Sequence, residues 1–262
     1  MSQNVVVKSH GSIAEIRLNR PEAYNAFDYD MIQNLSDHLS RVAADISFRG
    51  VVLSGEGKAF CTGGDLRWAT RFELGPPAAF NLLAARLNQA VIEIRRLAKP
   101  VVAAVHGLAA GGGFSLMLAC DFRVMAESAT LRQAYTSNGL CLDGGGSFML
   151  PRLVGLARSL EIAGLDEPIG AQKALEWGLV TRLVPAEQTL DHALGLADRI
   201  ATGSLNSFGH AKQLLTSSLD TAFEVQLERE RAALASCAAH PEGREGMAAF
   251  LEKRKPVFNR SE

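Results

Sequence analysis

The chain lacks any pattern that ties cysteines together. Its four, Cys61, Cys120, Cys141 and Cys237, lie far apart, with no CxxC pair and no Cys/His run at zinc-ligand spacing. Neither a disulfide framework nor a structural metal is expected, and a reducing, cytoplasmic setting fits best. Charge of one sign is also missing: 27 lysines and arginines face 28 aspartates and glutamates, for a formal net charge of -1. No basic stripe is present to displace counterions from phosphates, so nucleic acid is not an expected partner. Long apolar runs are absent too. The best candidates for the roughly 18 uncharged residues of a membrane span are broken by Asp121, Arg123 or glycines, so no membrane insertion is expected. The start, Met1-Ser2-Gln3-Asn4-Val5-Val6-Val7-Lys8, runs straight into a strand pattern, so no signal or transit segment is expected. What remains is a chain of 262 residues, long enough for a sizeable core and read as one main domain with an appendage.

Val5 to Val7 and Ile13 to Leu18 read as two short strands around a His10-Gly11 turn. Met31, Leu35, Leu39 and Val42 follow a helical period, and Val51-Val52-Leu53 is a buried-type strand. Pro77 to Leu97 is again helical, Pro100 to Val105 is a continuous apolar strand, and Gly111-Gly112-Gly113 opens a helix through Leu118. Phe122 to Met125 is a further strand. Strands separated by helices indicate an α/β core. From Gly144 onward the pattern is mainly helical, and only Leu179 to Leu183 looks like a strand. No repeat or low-complexity linker occurs, so the helical end is expected to pack on the core or on a neighbour, with Phe250 suited to a subunit contact.

Two glycine segments carry the first hint of chemistry. One runs Gly55-Glu56-Gly57-Lys58-Ala59-Phe60-Cys61-Thr62-Gly63-Gly64-Asp65-Leu66, with a helix capped near Asp65; the other is His106-Gly107-Leu108-Ala109-Ala110-Gly111-Gly112-Gly113-Phe114-Ser115. Without a Cβ, a backbone amide can approach a ligand closely, and a helix start presents unpaired amides with a partial positive charge. Amides at Gly64 and Gly112 converging on one point would form an oxyanion hole. Taken singly, either segment reads as an ordinary turn. A nucleotide site is disfavoured, since neither segment has the spacing of a dinucleotide or phosphate loop, and no G-x-S-x-G nucleophile elbow exists.

Four stretches in order, Asn19-Arg20-Pro21-Glu22-Ala23-Tyr24-Asn25-Ala26, Ala59 to Leu66, Lys99 to Gly113 and Glu245 to Arg254, resemble the enoyl-CoA hydratase/isomerase (crotonase) superfamily across nearly the whole chain. The resemblance implies an α/β fold: a crotonase-like spiral of ββα units over residues 1–200, and a helical C-terminal trimerisation region over 201–262. It also implies a homotrimer or a hexamer made of two trimers. Coenzyme A is implied as part of an acyl-CoA substrate, with no prosthetic group. Carried over residue by residue, the oxyanion amides fall on Gly64 and Gly112, and substrate-binding positions on Ala23, Ala59, Asp65 and Leu66. Adenine and phosphate contacts fall on Phe250 and Lys253, reaching a neighbouring subunit's ligand. Read on its own, Lys253 belongs to the charged run Glu252-Lys253-Arg254-Lys255 and fits a solvated helix face equally well.

The same resemblance places the two hydratase glutamates at Ser115 and Tyr135. Neither is a carboxylate, and an unperturbed phenol titrates near pH 10, too high for a base near neutrality. A carboxylate is available at Asp143, ahead of Gly144-Gly145-Gly146 and a helix. On the residues alone, a helix N-cap is the leading reading of Asp143. The alternative is a general base whose pKa is raised in an apolar pocket. The resemblance reverses that order, because members without the hydratase glutamates carry their working aspartate here. The stretch from Ser137 to Arg152 with Gly155-Leu156-Ala157-Arg158 looks most like the epoxyphenylacetyl-CoA isomerase branch. Ser115 and Tyr135 read either as further site residues or as ordinary packing. A dehalogenase is disfavoured, because its partner His and Trp correspond to Asn88 and Tyr135. His106 is expected to be structural, and Trp68, Phe72 and Phe80, which could wall an acyl pocket, are read first as core. The expected activity is an acyl-CoA enoyl isomerase with Asp143 as acid and base. A hydratase or lyase with an atypical site and a non-catalytic acyl-CoA binding protein stand as alternatives.

Overall fold

The computed structural model describes residues 4–258. Met1 to Gln3, part of the reading of the N-terminus, and residues 259–262 of the C-terminal region lie outside them. The chain opens with the antiparallel pair β1 (Val5–His10) and β2 (Ile13–Leu18). Asp28, whose side chain accepts from the Met31 amide, then caps α1 (Tyr29–Ala44). Strand β3 (Gly50–Gly55) follows, then the short α2 (Leu66–Arg71) and the long α3 (Gly75–Arg96). Next come β4 (Val101–Val105), β5 (Leu108–Ala110), α4 (Gly112–Ala119), β6 (Phe122–Ala126) and β7 (Thr130–Arg132). The pair α5 (Gly146–Val154) and α6 (Leu156–Leu165) leads to β8 (Ile169–Gly170), α7 (Ala171–Glu176) and β9 (Arg182–Val184). Helices α8 (Thr189–Ala201), α9 (Leu205–Ser217), α10 (Phe223–Ala239) and α11 (Pro241–Leu251) complete the chain.

The larger sheet has the order β1-β2-β3-β4-β6-β9 and is parallel beyond its first hairpin; the smaller has the order β5-β7-β8. Successive strand pairs, β4 with β5 and β6 with β7, each give one strand to each sheet, which is the expected spiral of ββα units. Strand side chains alternate in direction, so β3 sends Val51 and Leu53 to one face and Val52 to the other. The first face packs against α1, α3 and α4 through Met31, Leu35, Leu83 and Phe114; the second packs against α8 through Ala193, Leu196 and Ala197. Burial on both faces explains why these parallel strands read as unbroken apolar runs. All eight residues of α4 are buried, as a helix that is apolar all round requires.

Two sequence expectations need correction. The strand expected over Leu179 to Leu183 is confined to Arg182–Val184, because Leu179 and Val180 pack into the core at the end of α7 rather than pairing with β6. Strands β5, β7 and β8 have no signature in the sequence: at three, three and two residues they are too short to show a period.

The C-terminal helices are tied to the core by buried charge. The Lys212 ammonium on α9 donates to the Ile94 carbonyl and to the Asp121 carboxylate, both at 2.8 Å, and Arg49 donates to the carbonyls of Ala201 and Gly203. Helix α10, by contrast, buries none of its residues, and Phe223 and Leu234 are each more than 70 % exposed. Among the described residues no helix is long and apolar enough to cross a membrane.

Candidate active site

The two glycine segments meet. Ala110 N–H donates to the Cys61 carbonyl at 2.9 Å and Cys61 N–H to the Leu108 carbonyl at 3.3 Å, so the segments run side by side as a short parallel bridge. The contact tolerates no side chain. Gly63 has φ +84°, and a Cβ there would lie 2.7 Å from the Gly112 nitrogen; a Cβ on Gly113 would lie 2.2 Å from the Cys61 oxygen. Glycine at these positions is what lets the two backbones touch. A neighbouring bridge uses Phe27 N–H to the Gly63 carbonyl and Asp65 N–H to the Phe27 carbonyl, passing over Gly64. Within the described residues neither the Gly64 nor the Gly112 amide donates to a protein acceptor. Gly112 is the first residue of α4, where the helix dipole adds positive potential.

Asn25 holds the first segment in place. Fully buried, it donates from Nδ2 to the carbonyls of Glu56 and Ala59 and accepts at Oδ1 from the Arg20 amide. Ala59 itself is buried, lines neither cleft and supports this loop through its carbonyl. The carboxylate of Asp65 caps α2 by accepting from the amides of Arg67 and Trp68, and it pairs with Arg20 at 3.0 Å.

Asp143 reaches the same place from the other side. It is not the cap of α5: Gly145, in left-handed conformation, takes that position without any side-chain bond. The carboxylate of Asp143 is therefore left to the cavity, where Tyr135 Oη–H donates a hydrogen bond to Oδ1. Ser115 Oγ lies 3.3 Å from the same phenol oxygen. Close approach again demands glycine, since a Cβ on Gly146 would lie 2.6 Å from Ser115 Oγ and one on Gly144 would lie 2.6 Å from Leu87. Burial pushes the Asp143 carboxyl up from its ordinary range, and the Tyr135 hydrogen bond offsets part of that rise. Burial and the neighbouring carboxylate also raise the phenol, which therefore stays protonated.

Gly64, Gly112, Tyr135 and Asp143 line one cavity of about 480 Å³, walled mainly by apolar side chains that include Phe27, Phe80 and Leu83. Thr62, Gly64 and Leu66 also border an adjoining cleft of about 930 Å³, which contains Ala23, Asp65 and three arginines, Arg20, Arg67 and Arg71. An apolar chamber thus opens into a more polar channel beside a bent backbone. Ser115 is 1 % exposed and lines neither space; it touches the site from behind, through the Tyr135 hydroxyl and the backbone at Gly144 and Gly146. Phe250, 82 % exposed, and Lys253 lie outside both clefts of this chain.

Of the aromatic residues read first as core, Trp68 does pack against the core while only partly buried, and all three also wall a cleft. Phe80 lines the inner cavity, while Trp68 and Phe72, with ring centroids 5.0 Å apart, line the outer cleft. Helical spacing cannot separate a core face from a pocket face, because both are apolar. Asn88 is exposed on α3 and lines neither cleft, and His106 is engaged with the Gly57 carbonyl at 3.0 Å, as a structural histidine would be. The arginines of the outer cleft were missed as functional candidates. Arg20 stands inside the quoted Asn-Arg-Pro motif, and that adjacency was the available signal.

Comparison with known proteins gives the family. The model of the family described as enoyl-CoA hydratase/isomerase matches residues 8–261. The chain is 36% identical over 247 residues to the 1,2-epoxyphenylacetyl-CoA isomerase of Escherichia coli (strain K12), covering 94% of each chain. It is 34% identical to a protein of Bacillus subtilis (strain 168) named probable enoyl-CoA hydratase, covering 94% of this chain and 95% of that one. Among solved structures, the enoyl-CoA hydratase of Bacillus anthracis superposes with a TM-score of 0.91 at 31% identity, covering 98% of this chain and 99% of the other. Sequence and fold agree, and the chain belongs to the enoyl-CoA hydratase/isomerase family.

Proposed function

We propose that the protein is an acyl-coenzyme A enoyl isomerase. The Asp143 carboxylate removes a proton from the carbon α or γ to the thioester carbonyl, and the electron pair left behind moves onto the carbonyl oxygen. The Gly64 and Gly112 amides hold that enolate oxygen. The protonated Asp143 then returns the proton to the other end of the conjugated system, so no redox partner or prosthetic group is consumed. One observation carries this reading: among the described residues, Asp143 is the sole carboxylate lining the cavity that contains both glycines, and a serine and a phenol stand behind it. Water addition calls for a second acid or base to position and activate the water, and Ser115 and Tyr135 are poorly suited to that. The outer cleft with Arg20, Arg67 and Arg71 suits the phosphate-bearing end of coenzyme A.

Incubation of the protein with a 3-enoyl-CoA and, separately, a 2-enoyl-CoA in deuterated water tests the reading. Bond migration is the expected result, with deuterium appearing at the α or γ carbon only in the fraction of turnovers in which the Asp143 proton exchanges with solvent before it is returned. Formation of a 3-hydroxyacyl-CoA without bond migration would instead favour the hydratase activity named for several relatives.

We further propose that the chain assembles as a trimer or as a dimer of trimers. The large apolar side chains that α10 and α11 leave facing solvent, Phe223, Leu234 and Phe250, support this, since a subunit contact would cover them. In that assembly Phe250 and Lys253 would reach a neighbour's ligand. Light scattering should give the mass of three or six chains, and a monomeric mass at micromolar concentration would refute it.

A further inference from the structure

Tyr135 is the second member of the site, and its surroundings are built with unusual care. Its ring is 6 % exposed and sits in a turn whose amides at Ala134 and Ser137 both donate to the carboxylate of Asp166, itself 3 % exposed. The Tyr135 carbonyl accepts from the amides of Asn138 and Leu140, each at 2.9 Å. The phenol has one hydrogen, and it goes to Asp143 Oδ1. The contact with Ser115 must then run the other way, with the serine hydroxyl donating to the phenol oxygen.

We propose that Tyr135 is a positioning residue that makes Asp143 a one-oxygen base: the phenol, held by Ser115, occupies Oδ1 and leaves Oδ2 alone to take the substrate proton and return it. The proposal rests on the isomerase reading given above. A carboxylate free to rotate would present either oxygen, and each would differ in distance from the α and γ carbons. Clamping one oxygen fixes the other at a single point, from which a suprafacial transfer between two carbons of one substrate face follows. The proton balance is unchanged, because the O–H formed on Asp143 in the first step is the bond broken in the second.

The environment leaves few other groups to tune this carboxylate. Cys141 is the only other titratable side chain lining the cavity among the described residues. Asp65, in the adjoining cleft, is paired with Arg20. Arg86 of α3 is engaged with Gln89 and Tyr29, and Arg152 of α5 is paired with Asp220. The hydrogen bond from Tyr135 is therefore the main interaction that favours the ionised form of Asp143 over the neutral one, ahead of the hydrogen bond from the backbone amide of Asp143 itself.

The test is a titration that needs no turnover. Protein labelled with carbon-13 at aspartate carboxyls, with the Asp143 resonance assigned through Asp143→Asn, is titrated in the ligand-free state. Tyr135→Phe keeps the ring and removes only the hydroxyl; its Asp143 midpoint is expected to rise by about one pH unit, the scale of one hydrogen bond to a charged group. Ser115→Ala should move the midpoint in the same direction by less. With an isomerisable substrate, the acid limb of kcat/KM in Tyr135→Phe should shift upward with the midpoint while KM changes little. An unchanged midpoint in Tyr135→Phe overturns the proposal whatever the activity. A raised midpoint in a protein whose wild type exchanges no substrate proton upholds the clamp and sinks the isomerase reading.

Discussion

Replacement of Asp143 by asparagine is expected to lower isomerase turnover by roughly three to four orders of magnitude, the upper part of the range for a general acid–base group. The substitution is nearly isosteric, and Tyr135 can still donate to the amide oxygen, so the loop need not move. What is lost is the ability to hold a proton. The same group serves both half-reactions, so neither step retains its catalyst. Coenzyme A thioesters should bind the variant within a few-fold of wild type, because the Gly64 and Gly112 amides and the outer cleft are untouched. Calorimetric binding beside a turnover assay separates the two effects. Full activity of the variant on every substrate that the wild type converts would refute the assignment. The wild type should also show the pH dependence of a buried base. Burial raises the Asp143 carboxyl, so its ionised fraction, and with it kcat/KM, increases as pH rises through that raised pKa and then levels off. The asparagine variant should lack that limb.

Adding a single methyl group at Gly63 should cost nearly as much. Its φ of +84° is strained for an L-residue, and the new Cβ would lie 2.7 Å from the Gly112 nitrogen and 3.1 Å from the Ala110 oxygen. Relief requires the two glycine segments to separate, which moves the Gly112 amide away from the point it shares with Gly64. Loss of one oxyanion donor typically lowers kcat by about a hundred- to a thousand-fold, and Gly63→Ala is expected in that range. Gly11→Ala is the matched control. It has φ +61° but nothing within 4 Å of the added Cβ, and it lies in the β1–β2 turn, so it should lower stability slightly and leave kcat alone. If Gly63→Ala turned over at the wild-type rate, the shared oxyanion site would be wrong.

The parts of this molecule that were legible in the sequence are those whose cause is local. The period of Met31, Leu35, Leu39 and Val42 reports a helix face because the helix repeats every 3.6 residues, and all four are buried on α1. The doubly buried strands β3 and β4 show as apolar runs for the same kind of reason. The glycine segments were legible as turns with spare amides, and the four motifs in order were sufficient to name the family. Asp143 was ambiguous on local grounds, because a carboxylate before a helix can cap it or leave it uncapped; the left-handed Gly145 decides that, and it does so through backbone conformation that no spacing records. The roles of Trp68, Phe72 and Phe80 stayed open for a related reason, since a chamber wall and a core face demand the same apolar side chains.

The sequence by itself therefore determined the family, most of the long elements and the candidates for the site. Only the tertiary structure decided how those candidates are used. The Gly63 contact with Gly112 joins two segments nearly fifty residues apart in numbering, and Ser115, Tyr135 and Asp143 come from α4, a turn after β7 and the loop before α5. Each such contact depends on how strands and helices stack across two sheets. The one-oxygen environment of Asp143 exists because glycines allow its loop to settle against Ser115 and Leu87, a fit created by close packing at a distance in sequence.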